Sequence, residues 1–179
     1  MYPTQVPPDN VLYSLAALDR DLAAEVRAAR CPHCGGPLHS ASWTRKPRGA
    51  EVPDDLRVRH GLCCGHCRRR TLPPSVLFAG RRVYLKAVIL LVVAARQRDR
   101  AQHTISRLQR LFDNVWDTTI ARWMQAFLDG LPGHPDWQRL RGQLPPTLRD
   151  DRVPAALLDL GAEDDVLIRA CRLVPVPSL

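Results

Sequence analysis

The sequence CPHCGG at positions 31–36 and the sequence CGHCR at positions 64–68 each contain a Cys-x-x-Cys motif. Two thiolates at this spacing can bind one metal ion where the backbone turns tightly, and the proline and glycines favour such turns. Four sulfurs from two such turns make the tetrahedral site that Zn²⁺ prefers. The sequence therefore predicts a zinc ribbon over residues 31–72, with four ligands: Cys31, Cys34, Cys64 and Cys67.

Other thiols and imidazoles near the motifs leave alternatives open. Cys63 can replace Cys64 as a ligand, although the repeated two-residue spacing favours Cys64. Substitute ligands are also present within or beside the motifs, at His33, His39, His60 and His66.

Other roles for the cysteines fit less well. Paired disulfides would need an oxidising compartment, and the proline-rich start of the chain has no apolar signal region. A redox motif would need only one Cys-x-x-Cys pair and a strand–helix context. We expect Cys171, far from both motifs, to be a small buried hydrophobic residue.

Positive charge is concentrated in the middle of the chain. The 179 residues are enough for one domain or two small ones, and they carry a formal net charge of +8. Residues 31–110 contain sixteen Lys and Arg against four Asp and Glu, so the remainder is slightly acidic. A basic segment between neutral or acidic ends indicates a surface that faces a polyanion.

The longest apolar run spans residues 83–95 and is interrupted by Lys86. This run is shorter than the ~20 residues that a membrane-spanning helix needs. We therefore expect a soluble, cytoplasmic protein. The run and its arginine flanks predict a buried helix over 81–98 at the centre of a helical domain.

Helical and strand patterns flank the first Cys-x-x-Cys motif. Apolar residues at helical spacing predict a helix over 10–29, which can begin at Asp9 or Asn10. Residues 38–44 and 57–62 are predicted strands of the ribbon.

Two groups of basic residues in the predicted ribbon are candidate phosphate contacts. The link between the strands carries Arg45, Lys46 and Arg48, which equally suit a solvated loop. The second group, Arg68, Arg69 and Arg70, directly follows the last cysteine ligand. Arginines at such a position favour contact with a nucleic-acid backbone.

Residues 104–129 have the pattern of a helix-turn-helix. A first helix from Thr104 to Phe112 is followed by a break and by a second helix that can begin at Asp117 and end before Gly130. In that motif the second helix enters the DNA major groove with its N-terminal residues. The candidate base contacts are Thr118, Thr119, Arg122 and Gln125, whereas Trp116, Ile120 and Trp123 are expected in the core. An ordinary helical hairpin is the alternative.

The proline-rich tail, 131–179, predicts short helices near 136–141, 154–160 and 164–173. Its acidic groups at 150–151 and 163–165 suggest a two-metal nuclease site. No strand-rich segment precedes them to present such carboxylates, and acidic residues at the start of a helix are favoured in any case. We therefore predict no enzymatic activity.

Taken together, residues 31–129 resemble the N-terminal region of bacterial insertion-sequence transposases of the DDE type. The resemblance lies in the two Cys-x-x-Cys motifs, the arginine-rich exit, the hydrophobic helix beginning RRVYLKA at 81–87 and the sequence TTIARW at 118–123. Those enzymes continue into an RNase H-like catalytic domain, but only 49 residues follow Gly130 here. The resemblance implies DNA binding linked to mobile elements, without strand-transfer chemistry in this chain.

These features predict a mainly α protein with a small β zinc ribbon, divided at 1–30, 31–72, 73–130 and 131–179. The expected function is zinc-dependent binding of double-stranded DNA, with a transposase or another protein as a further partner and no membrane. A protein-interaction adaptor in a larger nucleoprotein complex and a binder of structured RNA are the alternatives.

Overall fold

The computed structural model describes residues 9–48, 51–79, 84–98, 106, 115–161 and 164–176. About half of the chain is helical, and the described residues form three small antiparallel sheets. This agrees with the predicted mainly helical class.

Helix α1 spans Asp9–Ala28, close to the predicted 10–29. Its apolar residues recur at helical spacing, so Val11, Leu12 and Leu15 share one buried face. The helix contacts both the first strand and the last helix of the structure. It therefore joins the cysteine-containing segment to the helical part.

The cysteine-containing segment folds into two small sheets. Strand β1 (Leu38–Ser40) pairs with β4 (Leu62–Cys64), which also pairs with β5 (Arg70–Thr71). Strand β2 (Trp43–Thr44) pairs with β3 (Val58–Arg59), and a 3₁₀ turn at Asp54–Leu56 precedes β3. The two predicted strands are thus each divided into two shorter strands.

Gly61 lies where the strands divide. A Cβ atom at Gly61 would overlap the ring of Trp43 and lie 3.0 Å from the carbonyl oxygen of Ala41. The Ala41 amide donates to the Gly61 carbonyl at 2.8 Å, which holds the two chain segments together across the division. The close approach of an aromatic ring therefore requires glycine at this position.

Strand β6 (Phe78–Ala79) pairs with β7 (Tyr84–Leu85), and helix α2 follows at Lys86–Gln97. The predicted central helix is present but begins five residues later than expected, because residues 84 and 85 extend a sheet. The side chain of Gln97 at its end donates to Val153 O at 2.6 Å and accepts from Ala155 N at 3.0 Å. Helix α2 is thereby fixed to the C-terminal segment.

The C-terminal helices follow the predicted order. Helix α3 spans Asp117–Gln125 and continues as one π-helical turn, Ala126–Gly130. Leu131 is helical too, with φ −64° and ψ −46°, so Gly130 is not the left-handed end that the sequence predicted. The remaining elements are α4 (Pro135–Arg141), a 3₁₀ turn (Asp150–Arg152), α5 (Ala155–Leu158) and α6 (Asp164–Leu173).

The predicted first helix of the helix-turn-helix, 104–112, lies outside the described residues except for residue 106. The motif therefore stays a prediction. Ile120 and Trp123 are buried, as expected, but Trp116 is 72% exposed and the prediction that it lies in the core was wrong. Trp116 directly precedes the first turn of α3, where its side chain leaves the buried face of the helix.

Two apolar clusters of very different size hold the described residues together. The larger draws residues from α1, α2, α3, α4, α5 and α6, so the helical segments predicted as separate units share one core. The smaller consists of Cys31, Leu38, Leu62 and Cys64, with Val26 of α1 packed against it. None of the helices in the described ranges is long and apolar enough to cross a membrane.

Candidate metal centre

The four predicted ligand sulfurs converge. The Sγ atoms of Cys31, Cys34, Cys64 and Cys67 all lie within 4.8 Å of one another. Two close pairs join the motifs: the sulfurs of Cys31 and Cys67 are 3.7 Å apart, and those of Cys34 and Cys64 are 3.5 Å apart.

These distances can be compared with two kinds of cysteine site. A disulfide requires sulfurs about 2.05 Å apart. A tetrahedral ion with metal–sulfur bonds of about 2.3 Å places its sulfurs about 3.8 Å apart. The observed separations therefore suit a shared metal ion and exceed a sulfur–sulfur bond. Among the described residues, no other group of histidines, cysteines and carboxylates converges in this way.

The two Cys-x-x-Cys motifs fold into matching turns. The amide of Gly35 donates to Cys31 O at 2.9 Å, and the amide of Arg68 donates to Cys64 O at 3.2 Å. The amide of the first cysteine in each motif also donates across its turn. Cys31 N donates to Gly36 O and Cys64 N donates to Arg69 O, both at 3.0 Å.

The residue after each motif is left-handed, with φ 67° at Gly35 and φ 61° at Arg68. Glycine adopts this conformation readily, whereas an arginine incurs a steric cost in it. The sequence therefore predicts the first turn better than the second, because nothing in the residue type at position 68 indicates a left-handed backbone.

The histidines inside the motifs pack across the site instead of joining the sulfur cluster. Arg69 donates to Nδ1 of His33 at 3.2 Å, so the first motif contacts the residues that follow the second. The ring of His66 covers Gly36, where an added Cβ would lie 2.8 Å from Nδ1 and 3.1 Å from Cys64 Sγ. Glycine at position 36 is thus required for close packing of the two turns.

The structure places Cys64, and not Cys63, in the sulfur cluster. Cys63 Sγ lies 3.6 Å from Arg68 O and 3.8 Å from Cys64 O, pointing away from the other thiols. This follows from strand geometry, because adjacent residues of β4 face opposite sides of the sheet. This placement agrees with the repeated two-residue spacing, which favoured Cys64.

Backbone amides favour the thiolate form of Cys64. Its Sγ accepts from Cys67 N at 3.4 Å and from His66 N at 3.3 Å. The Cys67 amide, aided by the other donors and opposed by burial, lowers the pKa of Cys64 to about 6. The amide of Arg69 likewise lowers the pKa of Cys67. Desolvation and the neighbouring thiols outweigh this effect, so the pKa of Cys67 is raised overall. The amide donors therefore favour deprotonation of Cys64, as metal binding requires of a thiol ligand.

The basic residues predicted as phosphate contacts are all exposed: Arg45, Lys46, Arg48, Arg68, Arg69 and Arg70. Arg45 lies over the ring of Trp43, with the guanidinium carbon 5.5 Å from the ring centroid. Arg70 belongs to β5, opposite Cys63, so its backbone is held directly beside the sulfur cluster.

Three of the four residues predicted to contact bases, Thr118, Arg122 and Gln125, lie on the exposed face of α3. Thr119 differs, since it is buried and its hydroxyl accepts from Arg122 at 3.4 Å. Because a buried hydroxyl cannot reach a base, Thr119 is excluded from the candidate surface, where the prediction had included it. Arg122 also donates to Thr118 O at 3.4 Å, so its guanidinium folds back over the first turn of the helix.

Three of the acidic residues in the two groups of the tail are paired with other side chains. Asp150 pairs with Arg141 at 2.9 Å, Asp151 pairs with Arg149 at 2.7 Å, and Asp164 accepts from Asn10 at 2.8 Å. Glu163 lies outside the described residues. Where the structure describes these carboxylates, they stabilise turns and helix ends.

Sequence reasoning assigned no role to two charged residues that the structure buries, Asp19 on α1 and Lys86 on α2, although Lys86 was seen to interrupt the apolar run. Both interrupt otherwise apolar faces, and this is the signal that could have identified them. Asp19 accepts from Val76 N at 2.6 Å, from Leu77 N at 3.3 Å and from the hydroxyl of Ser75.

Comparisons of the chain with known protein families, with curated proteins and with solved structures find no match in any of the three.

Proposed function

We propose that this chain is a zinc-dependent DNA-binding protein associated with a mobile element, with no enzymatic activity of its own. The observation that carries the proposal is the cluster of four cysteine sulfurs bordered by exposed arginines. Zinc fits the cluster because four thiolates at tetrahedral separations are its usual structural site.

The arginines after the second motif would contact the phosphate backbone. The backbone of this segment is fixed by the turn of the second Cys-x-x-Cys motif and by pairing with β4. All three of its arginines are exposed: Arg68, Arg69 and Arg70. A guanidinium on a rigid support loses less conformational entropy when it binds a phosphate than one on a mobile loop. This group therefore supplies affinity that does not depend on base sequence.

The exposed face of α3 would supply sequence preference. Thr118 and Arg122 lie near the N-terminal end of the helix, and Gln125 lies one turn further on. An arginine that pairs with a guanine through two hydrogen bonds contributes about 1–3 kcal/mol of discrimination. The link to mobile elements depends on the order of the motifs along the chain, which resembles that of the N-terminal region of DDE-type transposases.

The test is a DNA-binding titration on genomic fragments, with metal analysis of the same preparation. We expect Arg122→Ala to reduce the preference between fragments, and Arg69→Ala to weaken binding to all of them. The Arg69 variant should also lower the slope of log K against log salt by about 0.9 for each phosphate that it no longer neutralises. Arg139→Ala, at an exposed arginine of α4, is the matched control.

Two results would contradict the proposal. The first is a wild-type protein that does not bind duplex DNA even at low salt. The second is a pair of variants, at positions 69 and 122, that change affinity and preference in the same way.

Exposed apolar side chains favour a second candidate, a zinc-containing adaptor that binds another protein. Leu72, two residues after Arg70, is 57% exposed, and Trp116, directly before α3, is 72% exposed. Exposed aromatic residues are enriched in protein interfaces. An adaptor of this kind need not bind random duplex DNA, so the same low-salt titration separates the two candidates.

A further inference from the structure

A pocket of about 710 Å³ lies away from the turns of the two Cys-x-x-Cys motifs. Its lining comes from α1, the segment before β6, α2 and the end of α6. Its apolar lining includes Leu18 and Leu22 of α1 and Leu173 and Val176 of the C-terminal segment. Half of the fourteen lining residues are apolar and half are polar or charged, a mixture that suits a ligand with an apolar body and a polar end.

Lys86 is the most deeply buried charged residue of this pocket, with a relative exposure of 6%. Its backbone amide donates to Leu77 O at 2.9 Å, but its ammonium group has no hydrogen-bond acceptor among the described residues. The groups whose charge acts on it are Cys171 and Asp19.

Neither of these groups satisfies the ammonium. Burial raises the pKa of Cys171 to about 12, so this thiol is neutral at physiological pH. The carboxylate of Asp19 already accepts from Ser75, Val76 and Leu77. Asp19 therefore acts on Lys86 only through space and supplies it with no hydrogen bond.

Lys86 is largely removed from water and has no protein acceptor for its ammonium group among the described residues, and burial accordingly lowers the pKa of Lys86. An apolar side chain would fill the same place in α2 without burying a charge. A buried charge without a protein partner, at the wall of a pocket, is a candidate for contact with a ligand.

Charges of both signs surround the mouth of the pocket. Asp21, Glu25 and Asp136 are exposed there, together with Arg172, and His134 is half-buried. Exposed charges are screened by water and salt, so their net effect on a ligand is small. The sign of the preferred ligand is therefore set by the inner charge, Lys86.

We propose that this pocket binds a small amphipathic anion, such as a fatty carboxylate, with its anionic group on Lys86. The apolar body of the ligand would lie against Leu18, Leu22 and Val176. The proposal is independent of DNA binding, because none of these residues belongs to the turns of the two Cys-x-x-Cys motifs or to the exposed face of α3.

The experiment is calorimetric titration of the full-length, zinc-loaded chain with three ligands of equal length: octanoate, octanol and octylammonium. We expect saturable binding of octanoate with one site, weaker binding of octanol, and the weakest binding of octylammonium. Amide NMR shifts should change at Val76 and Leu77, beside the pocket. Absence of saturable octanoate binding, or octylammonium binding as tight as octanoate, would overturn the proposal.

Variants at Lys86 and Arg172 test which cation contacts the carboxylate of octanoate. Lys86→Met should weaken octanoate binding about tenfold or more, to the level of octanol, and leave octanol unchanged. Arg172→Met, which removes an exposed cation at the mouth, should change octanoate binding less than about twofold. Octanoate binding that is equal in wild type and Lys86→Met would overturn the proposal.

A second variant covers the case in which Lys86→Met does not fold. Leu22→Trp places a large side chain at a half-buried wall position, so it should reduce binding of all three ligands together. Unchanged binding of octanoate to a folded Leu22→Trp variant would show that the ligand lies elsewhere.

Discussion

At the scale of single residues, the turns formed by the two Cys-x-x-Cys motifs differ in the residue that follows each motif. The first turn is followed by Gly35 and the second by Arg68, and both residues have a positive φ. A non-glycine residue in this conformation costs about 1–2 kcal/mol. Arg68 thus carries strain that its counterpart in the first turn avoids.

We expect Arg68→Gly to stabilise the metal-loaded chain by up to about 1 kcal/mol, because glycine relieves the strain but also loosens the unfolded chain. Gly35→Ala should have the opposite effect, although the space around its Cβ is open. Urea unfolding of the zinc-loaded proteins measures both changes.

The matched control is Arg69→Gly, at a neighbouring arginine without a positive φ. It should bring no gain in stability. If Arg68→Gly is less stable than wild type, the guanidinium makes contacts that outweigh the backbone strain.

At the scale of elements, Asp19 connects α1 to the segment that enters β6. Its carboxylate accepts from two backbone amides and from Ser75, whose hydroxyl in turn accepts from Phe78 N at 2.9 Å. These donors have no strand or helix partner of their own, so the side chain of a distant helix completes their hydrogen bonding.

We expect Asp19→Ala to destabilise the chain by about 3 kcal/mol, because it leaves buried donors unsatisfied. Thermal or urea unfolding measures the loss. Asp21→Ala, at an exposed carboxylate of the same helix, should change stability by less than about 0.5 kcal/mol.

The cost of Asp19→Ala should also depend on pH. Desolvation raises the pKa of Asp19 above its ordinary 3.8, so the folded chain retains this proton to a higher pH than the unfolded chain does. Protonation of Asp19 therefore stabilises the folded chain fully in acid. This stabilisation declines as pH rises through the folded-state pKa of Asp19. The difference in free energy of unfolding between wild type and Asp19→Ala should therefore be smaller at neutral pH than in acid. A larger difference at neutral pH would contradict the raised pKa of Asp19.

At the scale of the whole molecule, the two apolar clusters predict two responses to loss of metal. The small cluster around Cys31 and Cys64 has too few buried residues to order its loops unaided. Metal binding in sites of this kind supplies on the order of 10–16 kcal/mol. The large helical cluster contains no predicted ligand.

We therefore expect a chelator to remove amide-exchange protection from β4 and β5 while α2 remains protected. Hydrogen exchange with mass spectrometry, in the presence and absence of chelator, measures this. Cys64→Ser should reproduce the chelated state, whereas Cys63→Ser should keep full metal content because its sulfur lies outside the cluster. Loss of protection across the whole chain would show that the two clusters fold as one unit.

Local patterns of residues were enough to predict the helices with long apolar periodicity and the four cysteines that converge. Helical spacing defines a buried face, and two tight turns define a set of metal ligands. The division of the strands at Gly61 and the late start of α2 could not be predicted in this way. They depend on which side chains meet, such as the ring of Trp43 over the glycine.

Packing between distant segments determined which side chains are available at the surface. It buries Thr119, exposes Trp116 and brings Asp19 to the amides of Val76 and Leu77, 57 and 58 residues away in sequence. It also leaves Lys86 without an acceptor, among the described residues, in a pocket formed by segments from both ends of the described chain. The physical reason is that burial and long-range hydrogen bonding depend on how the elements pack, which a local pattern of residues does not specify.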